Sequence, residues 1–347
     1  MKNLLKPKKF LVLTTINNVT PTIRKLSNIP GYELVIVGDK NTPTVSSKKF
    51  TFLSIEKQKE LPFEFIKKCP FNAYQRKNIG YLYSMLHGAT IIGETDDDNI
   101  PMKCWDSCLK LTSKPIEMIT SPKIFNAYSK FTTEKIWPRG FPLTSITENQ
   151  KITHKINKKP NVGIWQGVVD NEPDVDAIYR LTKNKKIKFR KNHVILNSKV
   201  FCPFNSQDTF WYSDFFMYMY LPVSVTFRMT DILRSYIAQR CLWAHNAYVG
   251  YFGPNMIQLR NKHDLLDDFS LEIPCYTQTE IIIDMLSKMK LNSSPKNNLK
   301  KIYKKLYNLK IVKKTELSAL DGWIKDIEKI SKNKINNSSS FLVSFSK

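Results

Sequence analysis

Four short apolar runs, KFLVLTTIN, YELVIVGDK, TFLSIE and ATIIGE, punctuate the first hundred residues, and helical spacing separates them. Runs of this length, rich in β-branched and aliphatic residues, read as strands buried on both faces. A turn at Pro21 leads into a short helix through Ile23 and Leu26. A second helix begins near Lys57, and a longer one covers Ala73 to His87 with Ile79, Leu82, Tyr83 and Leu86 as its apolar stripe. Strands alternating with helices restrict the chain to an α/β fold with a parallel sheet, whose ligands sit at the carboxyl ends of the strands. Asp39 ends the second strand and Asp96, Asp97 and Asp98 end the fourth. All four are therefore expected on one edge.

Beyond Pro101 the pattern is irregular and rich in aromatic residues and prolines. YRLTKNKKIKFRKNHVIL reads as two strands around a basic loop, and 226–248 as a helix opening near Thr230 or Asp231, with Ile232, Leu233, Tyr236 and Ile237 at helical spacing. From about Thr279 the chain turns helical and strongly basic (KNNLKKIYKKLYNLKIVKK) and ends in the polar tail SKNKINNSSSFLVSFSK. No internal repeat is present. At 347 residues and 42% hydrophobic content the chain can bury one large core or two small ones, which excludes a disordered or fibrous protein.

Lys+Arg 54 against Asp+Glu 30 gives a formal net charge of +24. Such an excess suits phosphate, nucleic acid or an acidic membrane face, and equally a solvated, lysine-rich surface. The six cysteines are scattered without a CxxC pair, so neither a zinc ribbon nor a disulfide framework is indicated. They read as reduced, partly buried thiols, with Cys104 and Cys108 on one helix face. The lead MKNLLKPKKFLVLTTINN has too short an apolar run for a signal peptide, and nothing later approaches twenty apolar residues. The expectation is a soluble, cytoplasmic protein with room for peripheral contact at the inner face of a membrane.

Three adjacent carboxylates repel one another, and at the end of a buried strand they call for a cation. Asp96 and Asp98 have the Asp-x-Asp spacing that holds Mn²⁺ or Mg²⁺, which can in turn grip a diphosphate. An ordinary acidic loop is the alternative. The wider stretch QRKNIGYLYSMLHGATIIGETDDD resembles GT-A glycosyltransferases, in which an Arg-x-Asn-x-Gly helix leads into the strand carrying the metal-binding aspartates. Arg76 here stands one residue earlier than in an exact Arg-Asn-x-Gly. The blocks VGDKNTP (37–43), CPFNAYQRKNIGYLYSMLHGA (69–89), IWPRGFPL (136–143), QGVVDNEPDVDAIYRLT (166–182), NSQDTF (205–210) and FRMTDILRSYIAQRCLW (227–243) follow in one order. In that order they are similar to the STELLO family of glycosyltransferases, over roughly residues 8–275. The Golgi location and cellulose-synthase association of its plant members are not carried over.

The resemblance implies a GT-A-type, Rossmann-like nucleotide-sugar-binding fold over 1–278, with a nucleotide-sugar half at 1–120, an acceptor half at 121–278 and a basic helical extension at 279–347. It implies transfer of a sugar from a nucleotide-diphosphate donor, expected to be a UDP-sugar, to a glycan, lipid-linked or small-molecule acceptor. Thr14 and Thr15 would line the base pocket, and Asp39 would accept a hydrogen bond from uracil or ribose. Asp96 and Asp98 would hold the metal, which serves as Lewis acid and template, with His263 as a late ligand and His245 as second choice. Arg76 and Arg139 would contact the diphosphate, unless they form ion pairs, and Asn78 marks the helix motif. Asp231 stands where such enzymes place the general base, although it reads equally as a helix N-cap; Asp174 and Asp176 are rivals. Trp165, Trp211 and Trp243 could stack on a sugar or fill the core. A sugar mutase, a self-glycosylating protein and an inactive scaffold in a polysaccharide-synthesis complex are the competing readings; no nucleic-acid-binding motif accompanies the lysines. In the extension, Leu299, Ile302, Tyr303, Leu306 and Leu309 recur at helical spacing among Lys300, Lys301, Lys304 and Lys305. That pattern fits a helix lying on an anionic membrane or one packed on the domain.

Overall fold

The sheet begins with β1 (Lys9–Thr14), whose four inner residues are fully enclosed, and grows outward through α1 (Pro21–Leu26), β2 (Tyr32–Val37) and β3 (Phe50–Leu53), all three strands parallel. The protein is described here by a computed structural model covering residues 7–103, 105–110, 116–147, 152–156, 160–260 and 264–343. Local chemistry starts the helices where expected. Thr20 Oγ1 accepts from the Ile23 amide at 3.1 Å with Pro21 at the first helical position, and Ser54 caps α2 (Ile55–Glu60) in the same way. After α3 (Lys77–Leu86) the chain recrosses β1 and lays β4 (Ile91–Thr95) on its far side, parallel to it. Strand order thus reverses beside β1, and such a reversal opens a crevice at the strands' carboxyl ends.

The apolar stripe expected on α3 is widened in the structure to nearly the whole helix, because α3 is enclosed between the sheet and the C-terminal helices. Gly80 permits the approach: a Cβ there would meet Val12 Cγ1 at 2.5 Å and Val37 Cγ2 at 2.7 Å. The sheet continues through β5 (Asn99–Pro101), β6 (Ile116–Ser121), β7 (Ile152–Ile156), β8 (Val162–Asp170), β9 (Asn192–Leu196), β10 (Asp208–Tyr212) and β11 (Tyr248–Gln258). Their order is β3-β2-β1-β4-β10-β8-β11-β9-β6-β7, with β5 paired to β11. Antiparallel β10 joins the parallel N-terminal part to the second half.

The segment YRLTKNKKIKFRKNHVIL departs from expectation. Its first part is α4 (Ala177–Thr182), because Asp176 Oδ1 accepts from the Tyr179 amide at 2.9 Å and starts a helix; only its last part forms a strand, β9. The 226–248 helix is α5 (Thr230–Trp243), preceded by a 3₁₀ turn at Phe227–Met229. Asp231 lies in its first turn and does not cap it.

The basic extension is α6 (Leu265–Lys288), α7 (Pro295–Asn308) and α8 (Lys314–Val343), and residues 278 and 279 both fall within α6. Leu299, Ile302, Tyr303 and Leu306 are buried in the core, while Leu309 is exposed. The apolar face of α7 is therefore already covered by this chain. Polar bolts fix the extension: Glu316 accepts from the Val223 and Ser224 amides at 3.0 and 2.8 Å, and Asp326 from those of Glu64 and Phe65 at 2.8 and 2.9 Å. Among the described residues no helix is long and apolar enough to cross a membrane. Cys69, Cys108, Cys202, Cys241 and Cys275 are buried free thiols, and Cys104 lies outside the described residues.

Asp208 on β10 supplies a pH test of the fold. It is fully buried, accepts from Trp105 Nε1 at 2.9 Å, and its Oδ2 and Asn255 Oδ1 are both acceptors without a donor among the described residues. Gly167 leaves room for them, since a Cβ there would fall 1.8 Å from Asp208 Oδ2 and 2.6 Å from Asn255 Oδ1. Burial pushes this carboxyl up to about 7, so it keeps its proton well above the usual carboxylate range. The unfolded chain loses the proton near pH 4, so the stability tied to it is complete below about pH 4 and lost as pH rises to about 7. Asp208→Asn keeps a neutral donor in place. Thermal unfolding is expected to show the variant near wild type at pH 4 and more stable by about 2–4 kcal/mol at pH 8. Equal stability of the two at pH 8 would mean the carboxylate is accommodated in ionised form.

Candidate active site

A cleft of about 660 Å³ opens at the carboxyl ends of β1, β2 and β4, where strand order reverses. Thr14, Thr15 and Asp39 line it from the ends of β1 and β2. Thr15 Oγ1 donates to Asp97 Oδ2 at 2.5 Å, and Asn17 Nδ2 donates to the same oxygen at 3.0 Å. Asp39 accepts from the Lys40 amide at 2.8 Å and the Ala73 amide at 3.0 Å, and Arg76 Nε lies 3.9 Å from it. Arg76 also lines the cleft, but it is buried and spends donors on the Pro70 carbonyl and Gln58 Oε1. Its observed partners make it part of an ion pair with Asp39.

The three aspartates have different surroundings. Asp96 Oδ1 accepts from Lys77 Nζ at 3.0 Å and from the Tyr74 hydroxyl at 3.1 Å. Loss of water raises the Asp96 carboxyl, and the Lys77 charge opposes that rise. Lys77 is wholly buried and also donates to the Tyr74 hydroxyl and the Ser206 carbonyl. Among the described residues Asp98 accepts only from neutral groups, Gln258 Nε2 at 3.1 Å and Asn99 Nδ2 at 3.2 Å. Burial, and after it the Asp96 charge, pushes Asp98 up to about 6. Asp97 and Asp98 thus form no ion pair among the described residues, a surplus of negative charge at the mouth of the strands.

The second wall comes from α5 and the loops around it. Arg139 forks onto Asp174, with Nε to Oδ1 at 2.9 Å and Nη2 to Oδ2 at 2.8 Å, and reaches both oxygens of Asp231 at 3.1 Å. Its Nη1 donates to the Arg228 carbonyl. Burial would raise Asp174, but the Arg139 guanidinium outweighs it and holds the carboxyl well below the usual range. Asn205 Nδ2 adds a third donor to Asp174 at 3.0 Å. Asp231 Oδ2 takes Ser206 N and Oγ, each at 3.2 Å, while among the described residues Oδ1 receives Arg139 alone. Ser206 Oγ is in turn bonded to the Tyr74 hydroxyl, so one chain of contacts links Asp231 to Asp96.

Several expected roles are corrected by these positions. Asn78 does not line the cleft, because its amide is consumed by the Leu221 backbone in both directions at 2.8 Å. Arg139 lines the cleft, but its fork is filled by carboxylates of this chain. Asp176 caps α4 and accepts from Trp137 Nε1, away from the lining; burial pushes it up to about 6. His245 follows α5, about 20 Å along the helix from Asp231, and pairs with the Tyr218 hydroxyl. Trp165 and Trp211 are buried, and Trp243 packs on Phe201 with ring centroids 4.6 Å apart. His263 lies outside the described residues.

Lys77, Tyr74, Ser206, Gln258, Phe227, Arg228 and Arg260 were absent from the sequence-based site. A lysine inside the apolar helix QRKNIGYLY was the available signal for Lys77. Tyr74, three residues before it, and Phe227 and Arg228, beside Asp231, lie in short 3₁₀ turns that lead into α3 and α5, while Ser206 before β10, Gln258 on β11 and Arg260 after it are brought in from distant segments by the sheet. Among the described residues, no three His, Cys, Asp or Glu side chains converge as a ready cation cage. Magnesium-type ions commonly take one or two carboxylates and complete their shell with water and substrate phosphate oxygens. Asp98, a hard oxygen donor with no cationic partner among the described residues, and Asp96, whose Oδ1 is held by Lys77, would fit an ion that arrives with a diphosphate.

Comparison with known proteins gives a consistent picture. Residues 228–336 match the family model described as STELLO glycosyltransferases, which carries the similarity through α6 and α7 into α8, beyond the 275 limit read from sequence. "Probable glycosyltransferase STELLO1" of Arabidopsis thaliana is 32% identical over 270 residues, 71% of this chain and 35% of that protein. "Probable glycosyltransferase STELLO2" of the same plant is 30% identical over 275 residues, 72% of this chain and 36% of the relative. The chain spans about a third of the length of these relatives. At moderate identity sustained over most of its length, the chain matches the STELLO family, which supports classifying it with glycosyltransferase-type enzymes.

Proposed function

We propose that the chain transfers a sugar from a nucleoside-diphosphate donor, of the UDP-sugar class, on a GT-A-type scaffold. The observation that carries this reading is the placement of Asp96–Asp98 and Asp231 in one cleft, at the reversal of strand order, joined through Tyr74 and Ser206. Asp39 and the Thr14–Thr15 backbone receive the base and ribose. Asp96 and Asp98 would hold a divalent cation, which would supply positive charge to the diphosphate leaving group. Lys77 fixes Asp96 from behind and leaves its second oxygen free for that task. Asp231 accepts the proton of the acceptor hydroxyl at Oδ1 as that oxygen bonds to the anomeric carbon and the bond from carbon to phosphate oxygen breaks. A base in this position serves an inverting transfer. Arg139 positions Asp231 and Asp174 and does not itself meet the donor.

Calorimetry with UDP tests the donor site. Binding is expected with Mn²⁺ or Mg²⁺ and to weaken at least about tenfold in chelator or in Asp98→Ala, since a diphosphate beside two carboxylates is tolerated only with a cation between them. Equal UDP affinity in all three conditions would remove the cation from the scheme.

A further inference from the structure

Two guanidinium groups to which the proposed donor site gives no role, Arg228 and Arg260, line the same cleft. Arg228, just before α5, gives Nε and Nη2 to Glu272 Oε1 at 2.8 and 2.5 Å. Arg260, two residues after β11, gives Nη2 to Asp268 Oδ2 at 2.8 Å. Their side chains are only 8% and 9% exposed. Arg180 on α4 belongs to the same cluster: it is buried, donates to the Pro173 carbonyl, and has no ion-pair partner among the described residues. Nε of Arg180 and Nε of Arg260 are both buried without an acceptor among the described residues.

Like charges so close disfavour one another. Burial, and then the Arg260 charge, brings Arg180 down to about 10; burial, and then Arg228, lowers Arg260. Asp268 and Glu272 reach these groups from α6, and the cluster meets the cleft through Arg228 and Arg260. Arg180 and Arg260 each keep Nε without an acceptor among the described residues, while Arg228 has Nε and Nη2 on Glu272, and guanidinium donors grouped in this way suit a tetrahedral oxyanion, which offers several acceptors at once. Beside them stands Phe227, 48% exposed and lining the cleft, held edge-on to Tyr74 with centroids 5.4 Å apart. An exposed aromatic ring next to paired guanidiniums offers an apolar seat for whatever carries the anion.

We propose that Arg228 and Arg260, backed by Arg180, recognise a phosphoryl group on the acceptor, so that the hydroxyl presented to Asp231 belongs to a phosphate-bearing molecule. This rests on the donor being held at Asp96 and Asp98. Two sources share the chemistry: a soluble sugar phosphate and a lipid-linked phosphate.

The test uses the full chain saturated with UDP and Mg²⁺, titrated calorimetrically with methyl phosphate and with a sugar 1-phosphate. Both are expected to bind beside UDP. Arg260→Gln is expected to weaken them about tenfold or more while UDP affinity stays at the wild-type value, and Arg260→Lys to restore part of the loss. Phe227→Ala is expected to weaken the sugar 1-phosphate and spare methyl phosphate. Pelleting with phosphatidylcholine vesicles doped with a polyprenyl phosphate, lost in Arg260→Gln, would assign the lipid source; tight binding of the sugar 1-phosphate without pelleting would assign the soluble one. The proposal is overturned if Arg260→Gln weakens UDP itself, which gives the cluster to the donor diphosphate. It is also overturned if a folded Arg260→Gln, checked by thermal unfolding, binds every probe as wild type does. If UDP fails to bind at all, the donor reading has failed instead, and the methyl phosphate titration repeated in chelator still reports on the cluster.

Discussion

Asp231→Asn is expected to leave UDP affinity within about twofold of wild type and to lower turnover by about 10²–10⁴, the usual contribution of a positioned general base. The argument rests on which oxygen is free. Asp174 has two forked bonds from Arg139 and one from Asn205, so its oxygens are committed and its proton affinity is suppressed. Asp231 shares the same arginine less tightly, at 3.1 Å, and its Oδ1 has no other donor among the described residues. Asparagine keeps the size and the contact with Ser206 but accepts no proton at neutral pH, so loss should fall on kcat and not on donor binding. Single-turnover rates with a radiolabelled UDP-sugar and calorimetry on the same preparation measure both quantities. Near-normal turnover would end the role of Asp231 as base, and Asp174, saturated as it is, could not replace it.

What the sequence revealed follows from how local each signal is. Strand–helix alternation over 9–95 rests on neighbours a few residues apart, and it correctly brought Asp39 and Asp96–Asp98 to one edge. N-cap signals are just as local but ambiguous. Asp176 and Asp231 each precede an apolar helical run, and only the structure shows that Asp176 caps while Asp231 turns inward to Arg139. The helix of YRLT was missed for the same reason, since Asp176 was weighed as chemistry and not as the start of α4. Arg139 stood out from its sequence as a candidate, but its carboxylate partners did not, because they lie 35 and 92 residues away. The amphipathic pattern of α7 was legible, but what covers its apolar face depends on Tyr220 and the packing of α8, remote in sequence.

Arg234→Met is expected to lower folding stability by about 3–5 kcal/mol, the largest effect on the fold foreseen for a single substitution, because it strands a buried carboxylate. Glu94 on β4 and Arg234 on α5 are both wholly inaccessible and meet in a fork, Nη1 to Oε2 and Nη2 to Oε1, each at 2.8 Å. Trp211 Nε1 at 2.9 Å and the Tyr81 hydroxyl complete the carboxylate's shell. The pair joins the strand that ends at Asp96 to the helix that begins at Asp231, so it fixes the separation of the cation-binding and base-bearing walls. Removing only the arginine leaves Glu94 charged in a dry interior with two neutral donors. Neutralising both members in Arg234→Met with Glu94→Gln should recover at least about half of the loss, because the penalty lies in the unpaired charge and not in the absence of the pair. Urea denaturation of the wild type and the single and double variants forms a complete cycle. A loss below about 1 kcal/mol in Arg234→Met would show that water reaches Glu94 when the arginine is removed, and the two walls would then be held by packing of α5 against the sheet alone.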